Sequence, residues 1–452
     1  MTTFSLFNFG CRASQADGAA LKRQLLDSGF AEGADVAQSD VAILNTCTVT
    51  AAADAEIRQT VRRIHRERPA CRILVTGCYA QRAPGEIAAL DGVVWVVGNS
   101  HKHQVAEILK RTCAVPRDHD GPVSGAGPTS NEGAVQISVG EVTSQFHFMP
   151  VFPDDRTRPT LKVQDGCNAR CAFCIIPAVR GKSRSLPPFQ VIEQIRSLEA
   201  AGYQEVVLSG INLGSYGRDL DRSVTFLALL ERILEETGIK RLRISSIEPM
   251  DVSPALIRLA AGEPRLADHF HVPLQSGCDR ILRQMNRRYW TAQYAERIFA
   301  VREQMPHAGL GADVMTGFPG ETPADHAESL RFVESLPFTY LHIFPYSARP
   351  STPAALRDGQ VNGRIAHERG AELQALIARK RRAFLQTQVG RTLSALTLTA
   401  ACEDETPALS SNFLRVCLLG RQTAANQLLS VRVGRVYEGR LYGFLEERAR
   451  LS

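Results

Sequence analysis

Over residues 2–111, short apolar runs alternate with amphipathic stretches: 4–9 precedes 19–26, 41–44 precedes 57–65, 73–75 precedes 86–90, and 93–97 precedes 105–109. Short continuous runs suit strands buried on both faces, and the longer stretches carry apolar residues at helical spacing, so the pattern predicts a parallel sheet flanked by helices. Periodicity is lost over 112–159, where Gly, Pro, Ser and Asp dominate, and 113–152 reads as a linker. Alternation then resumes, with strands expected at 161–164, 205–208, 242–244, 269–272, 312–315 and 340–344. Six such units predict an open or partial β/α barrel. Residues 363–388 read as one long helix bearing the basic run Arg379, Lys380, Arg381 and Arg382. Short β-like runs broken by Gly and Pro over 391–451 predict a small β-barrel. The expected chain is therefore α/β, with domains at 1–112, 153–388 and 389–452.

Composition changes this picture little. The chain has 452 residues, too many for one core, and its 44% hydrophobic and 22% charged residues are the balance of a globular protein. A net charge of +6 suits a polyanionic partner without requiring one. No apolar run approaches the roughly 18 residues of a membrane span, and residues 1–10 lack the basic start and cleavage site of a secretory signal. A cytoplasmic protein with no membrane partner is expected.

The eleven cysteines carry the chemistry. Cys167, Cys171 and Cys174 form a C-x3-C-x2-C triplet directly after the first expected strand of the second domain. Three thiolates in one loop can hold three irons of a cubane and leave the fourth open to a small ligand. A structural zinc site would want a fourth Cys or His, and none lies nearby. Cys11, Cys47 and Cys78 are far apart in sequence, yet each follows an expected strand of the first domain. The carboxyl ends of parallel strands share one edge of the sheet, where ligands bind, so the three can meet at one site. The bland alternative is three buried thiols in apolar turns. Cys71, Cys113, Cys278, Cys402 and Cys417 share no pattern and are taken as structural.

The triplet, with Phe173 before its last cysteine, resembles the signature of the radical S-adenosylmethionine (SAM) superfamily. The second cysteine set and the β-rich tail, which resembles a TRAM domain, narrow the resemblance to the methylthiotransferases. Asn45-Thr46-Cys47-Thr48-Val49-Thr50, Thr76-Gly77-Cys78-Tyr79-Ala80-Gln81 and Cys174-Ile175-Ile176-Pro177 are most similar to the MtaB-type enzymes, which modify N6-threonylcarbamoyladenosine in the anticodon loop of tRNA. Ser14 and Ala178 depart from the family pattern, which usually has Asn and often an aromatic residue there. The resemblance implies a flavodoxin-like N-terminal sheet, a partial (β/α)6 radical SAM barrel and a TRAM-like β-barrel. It also implies two 4Fe–4S clusters, one on each cysteine set, with SAM on the open iron of the first and sulfur delivered from the second. No general base is required.

Polar or Gly-rich groups follow several barrel strands, and Phe173, Gly210, Asn212, Ser246, Glu248, Gln275 and Gly317 are the candidate contacts to SAM. Each string is also an ordinary turn. For RNA, Arg180, Lys182 and Arg184 after the cysteine loop can meet phosphate, and Asn412 with Phe413 can meet an exposed base. A solvated basic loop and a barrel-core Phe413 are the plain alternatives, and Arg379 to Arg382 reads as a solvated helix face. The implied partners are the tRNA anticodon stem-loop, an electron donor such as a flavodoxin or ferredoxin, and a sulfur source. Three other readings remain open: methylthiolation of isopentenyladenosine in tRNA, methylthiolation of a ribosomal protein, and a zinc-stabilised RNA-binding protein without catalysis.

Overall fold

The computed structural model describes residues 1–113, 135–142, 157–221, 223–399, 405–419 and 423–446. They form two compact units. The first comprises the described residues up to 142 with Gly166–Asn168 and Ile175–Arg184; the second comprises those of 157–165, Ala169–Cys174 and those from Ser185 onward. Among the described residues, no helix is long and apolar enough to cross a membrane.

The first unit is built on a parallel sheet of β1 (Thr3–Asn8), β2 (Ala31–Glu32), β3 (Val41–Thr46), β4 (Arg72–Gly77), β5 (Val93–Gly98) and β6 (Gln136–Ser138), in the order β2-β1-β3-β4-β5-β6. Every residue of β3 is buried, which is why its first four residues read as an unbroken apolar run. One face of the sheet packs Phe4, Ile43 and Trp95 against Leu21, Leu25 and Leu109; the other packs Leu44, Ile73 and Val75 against Ile57, Val61 and Tyr79. Order reverses between β1 and β3, so the edge beyond their carboxyl ends is the switch point where ligands bind in such sheets. The strand β6 lies inside the expected linker, most of which falls outside the described residues, as does Cys402. Its three residues have no periodicity of their own and become a strand by pairing with β5.

The second unit begins with β7 (Thr160–Lys162) and β8 (Gln164–Asp165). After the two-residue β9 (Arg184–Ser185) come β10 (Glu205–Ser209), β11 (Arg241–Ile244), β12 (His269–His271), β13 (Gly309–Thr316) and β14 (Tyr340–Pro345). β11-β10-β7 and β12-β13-β14 are parallel sheets, and the Ile247 amide donates to the His271 carbonyl where they adjoin. These are the six expected strands of the partial barrel. The long helix spans Gly363–Gln386, with Arg379 paired to Glu334 on its outer face. A closed five-stranded barrel follows: β15 (Thr392–Thr397), β16 (Thr406–Ser410), β17 (Arg415–Leu418), β18 (Leu428–Tyr437) and β19 (Arg440–Leu445).

A buried carboxylate joins the small barrel to the large one. Glu205 on β10 is fully buried and receives Arg243 Nε at 2.8 Å and Arg241 at 3.3 Å, with Arg158 at 3.5 Å. The same arginines reach out of the partial barrel: Arg243 donates to the Ser411 and Ser410 carbonyls at 2.9 and 3.1 Å, and Arg241 to that of Leu409 at 3.3 Å. Burial pushes the Glu205 carboxyl up, but Arg243, Arg241 and Arg158 outweigh it and hold it at about 2. Glu205→Ala strands buried cations and is expected to cost about 3–5 kcal/mol in urea unfolding of the apoprotein at neutral pH. Because the folded carboxyl titrates below the ordinary value of 4.5, the difference from wild type is fully present above that value and shrinks as the pH falls toward about 2. An unchanged difference at low pH contradicts the assignment.

Candidate active site

Cys11, Cys47 and Cys78 follow β1, β3 and β4 at the switch edge of the first unit. Cys11 caps the helix Arg12–Asp27 and Cys78 begins the helix Cys78–Arg82. Cys47 and Cys78 are each 2% exposed, whereas Cys11 is open to solvent. Burial pushes the Cys47 thiol up to about 12, and the neighbouring Cys78 and Cys11 push it the same way, so the three sulfurs share one field. A coordinating metal cation reverses that penalty by binding the thiolates. The Asn99 side-chain amide donates to Cys78 Sγ at 3.5 Å and so orients that sulfur. These features fit a metal cluster held by three cysteines.

An ion-pair network fixes the elements that carry them. Asp17, buried on the helix that starts at Cys11, accepts from Arg180 Nη2 at 2.9 Å and from Lys102 Nζ at 3.0 Å. Lys102 also donates to Asn45 Oδ1 at 3.1 Å, two residues before Cys47, and Asn45 Nδ2 donates to the Ser14 carbonyl at 2.6 Å. Asn99 Nδ2 reaches the Val179 carbonyl at 2.8 Å. Ser14 is fully buried, with its hydroxyl 3.8 Å from Cys11 Sγ, so the departure from the family pattern lies inside the site; Ala178 is exposed.

Here the expected RNA contacts need correction. Arg180 is 2% exposed and answers a buried carboxylate, and Arg184 is buried with Nη2 on the Arg180 carbonyl at 2.6 Å. Guanidinium groups so placed are structural. Only Lys182 of the basic loop is exposed. In the second unit Asn412 is also buried: its amide donates to the His307 carbonyl at 3.0 Å and to Gln388 at 3.2 Å. Phe413, with φ +66°, packs its ring 4.4 Å from that of His269 and beneath Arg243. This pair docks the small barrel.

The C-x3-C-x2-C loop is anchored by its backbone. In the first unit the Cys167 amide donates to the Gly181 carbonyl at 3.0 Å. In the second, the Ala172 amide donates to the Met285 carbonyl and its carbonyl accepts from Ala354, both at 2.9 Å, while the Cys174 amide donates to the Cys171 carbonyl at 3.1 Å. Phe173 packs at the edge of a cluster containing Met285, Met315 and Phe318. Arg287, which no spacing in the sequence marks, donates to Cys171 Sγ at 3.3 Å and pairs with Glu248. Burial pushes the Glu248 carboxyl up, and Arg287 offsets this only in part.

The other expected SAM contacts divide. Asn212 Oδ1 and Gln275 Oε1 are buried without a hydrogen-bond partner, and Gln275 holds a strained φ of +68°. Orphaned buried acceptors of this kind suit a polar ligand. Gly210 lies beside Gln164, whose Oε1 accepts from the Asn212 amide at 2.8 Å. Ser246 is partly exposed after β11. Gly317 has a structural reason to be glycine: φ is +71°, an added Cβ falls 2.5 Å from Ala366 Cβ, and its amide donates to Glu321 at 2.7 Å.

Gly10 tests the first site. Its φ is +97°, and an added Cβ falls 2.3 Å from Cys47 Cβ and 2.8 Å from its sulfur. Gly29 has a φ of +87° but open space around it. Gly10→Ala is expected to lose about four of about eight irons per reconstituted chain, and Gly29→Ala to keep them, as read by iron and sulfide analysis. Full iron in Gly10→Ala refutes the geometry.

Residues 3–98 match the uncharacterized protein family UPF0004 and residues 161–333 the radical SAM superfamily. The chain is 34% identical to the threonylcarbamoyladenosine tRNA methylthiotransferase MtaB of Bacillus subtilis, over 96% of this chain and 94% of that protein. It is 35% identical to that of Aquifex aeolicus, over 90% and 94%. The tRNA-2-methylthio-N(6)-dimethylallyladenosine synthase of Syntrophobacter fumaroxidans is 35% identical over 82% and 79%. Among solved structures, the radical SAM methyltransferase TsrM from Kitasatospora setae superposes with a TM-score of 0.54 at 17% identity, over 79% of this chain and 77% of that one, a likeness of fold. With both cysteine sets in place and this identity along nearly its whole length, the chain belongs to the radical SAM tRNA methylthiotransferases.

Proposed function

We propose that this enzyme converts N6-threonylcarbamoyladenosine in the anticodon stem-loop of tRNA to its 2-methylthio derivative, using SAM and two 4Fe–4S clusters. The placement of Cys11, Cys47 and Cys78 along one sheet edge, together with a separate C-x3-C-x2-C loop, carries the two-cluster reading. When bound, the cluster on Cys167, Cys171 and Cys174 supplies one-electron cleavage of SAM to a radical that attacks an unreactive C–H bond, and the other supplies sulfur. The chain's own residues position and protect. Arg287 holds Cys171 and Glu248 together, the Asn212 and Gln275 carbonyl oxygens offer acceptors to SAM, and Asn99 steadies Cys78.

The segments 1–112, 153–388 and 389–452 divide the work into sulfur delivery, radical chemistry and RNA affinity. For RNA, the outer face of the small barrel replaces Asn412 and Phe413: Arg432, Arg435, Tyr437 and Phe444 are exposed, with Arg435 5.5 Å from the Tyr442 ring centre. Arginine beside aromatic rings suits phosphates and unstacked bases. The reaction needs a reductant, for which a flavodoxin or ferredoxin is the fitting class, and a sulfur source; with tRNA as substrate it belongs in the cytoplasm.

The threonylcarbamoyl substrate is supported by the names of the Bacillus and Aquifex relatives. It draws no support from Arg180 and Arg184, whose charges are engaged inside the protein. Purified reconstituted enzyme with reductant and SAM is expected to turn over tRNA bearing the threonylcarbamoyl group at least about tenfold faster than tRNA bearing the isopentenyl group, and to leave unmodified transcript unchanged, by nucleoside mass spectrometry. Comparable turnover of the isopentenyl substrate refutes the substrate assignment and leaves the family intact.

A further inference from the structure

A polar cluster in the second unit is used by neither cysteine site. His271, Asp313 and His342 lie on β12, β13 and β14, three neighbouring parallel strands. Asp313 stands in register with His342, and His271 with Gly311. Asp313 Oδ1 is 3.0 Å from His271 Nε2 and 3.2 Å from His342 Nδ1, and the ligand atoms of all three residues lie within 4.8 Å of one another. Ligand atoms of a tetrahedral zinc ion, each about 2.0–2.1 Å from the metal, are separated by about 3.3 Å. The two carboxylate-to-imidazole spacings are close to that, and the imidazole-to-imidazole spacing lies within 4.8 Å.

The surroundings are those of a metal site. Gly311 leaves room for the Tyr340 ring, since a Cβ there falls 2.0 Å from it. The Tyr340 hydroxyl thereby reaches His271 Nδ1 at 3.0 Å and His269 Nε2 at 2.7 Å. Such a contact to the far ring nitrogen fixes the orientation of a ligating imidazole. Side-chain exposure rises from 8% at His271 through 26% at Asp313 to 62% at His342, leaving one side open to solvent and to further ligands.

We propose that His271, Asp313 and His342 bind one divalent transition-metal ion of the zinc or iron(II) class, at a third site distinct from both cysteine sets. Two imidazoles and one carboxylate with an open position match the donor preferences of these ions. The proposal stands whether or not the substrate assignment holds, because it concerns the protein without tRNA.

The test uses full-length enzyme with both clusters reconstituted, dialysed against Co2+. One additional cobalt per chain is expected, with visible ligand-field bands, no thiolate charge-transfer band, and displacement by Zn2+. Asp313→Asn and the exposed His342→Ala should each weaken uptake by at least about tenfold, and Tyr340→Phe by about 10–100-fold. His326→Ala, at a histidine paired with Glu372 instead, should keep it. Circular dichroism identifies any variant that fails to fold, and wild-type uptake and its spectrum decide the question without the variants. Absence of a further cobalt, thiolate bands on the bound one, or equal uptake by folded Asp313→Asn and His342→Ala overturns the proposal.

Discussion

The carboxylate of Asp17 is the constraint on which the first unit depends. A lone buried charge is untenable, so Asp17 requires the cations it finds in Arg180 and Lys102. Each cation carries another element with it. Arg180 brings the helix Ile176–Arg180, which follows the cysteine triplet in sequence; Lys102 brings Asn45 and so the end of β3, where Cys47 begins its turn. Asp17 itself sits on the helix capped by Cys11. One carboxylate thus places two of the three cysteines of the first unit's set, and Asn99 ties Cys78 to Val179 of the helix that Arg180 ends.

Glu205 plays the corresponding part in the second unit. Its arginines satisfy a charge inside the partial barrel while their remaining donors reach carbonyls of the small barrel, and Phe413 packs against the same group. Buried ion pairs add little net stability but make the loss of one partner costly, so they enforce arrangement. Fixed arrangement matters in a radical enzyme, because an unquenched radical needs its target within reach.

Much of this was legible in the sequence. The strands that precede Cys11, Cys47 and Cys78 announced themselves as apolar runs because both faces of that sheet are covered, and their parallel order sets the three cysteines along one edge. The triplet was legible because its spacing is local. Basic residues were the opposite case: nothing in Arg180-Gly181-Lys182-Ser183-Arg184 distinguishes a solvated lysine from two buried arginines, since the deciding partner, Asp17, lies elsewhere in the chain. Asp17 did leave a trace, standing among Ala13, Ala16, Ala20 and Leu21 on the apolar side of its helix. Arg287 and β6 left none, as each acquires its role from tertiary contacts alone.

The central claim is that two cysteine sets hold two clusters with separate tasks. It is tested most directly by replacing Cys11, Cys47 and Cys78 together with alanine, reconstituting the folded protein, and measuring iron, 5′-deoxyadenosine release and methylthio transfer in one preparation. The account predicts about four remaining irons, continued SAM cleavage and no methylthio product. Loss of SAM cleavage along with all the iron, in a protein still folded, would contradict it.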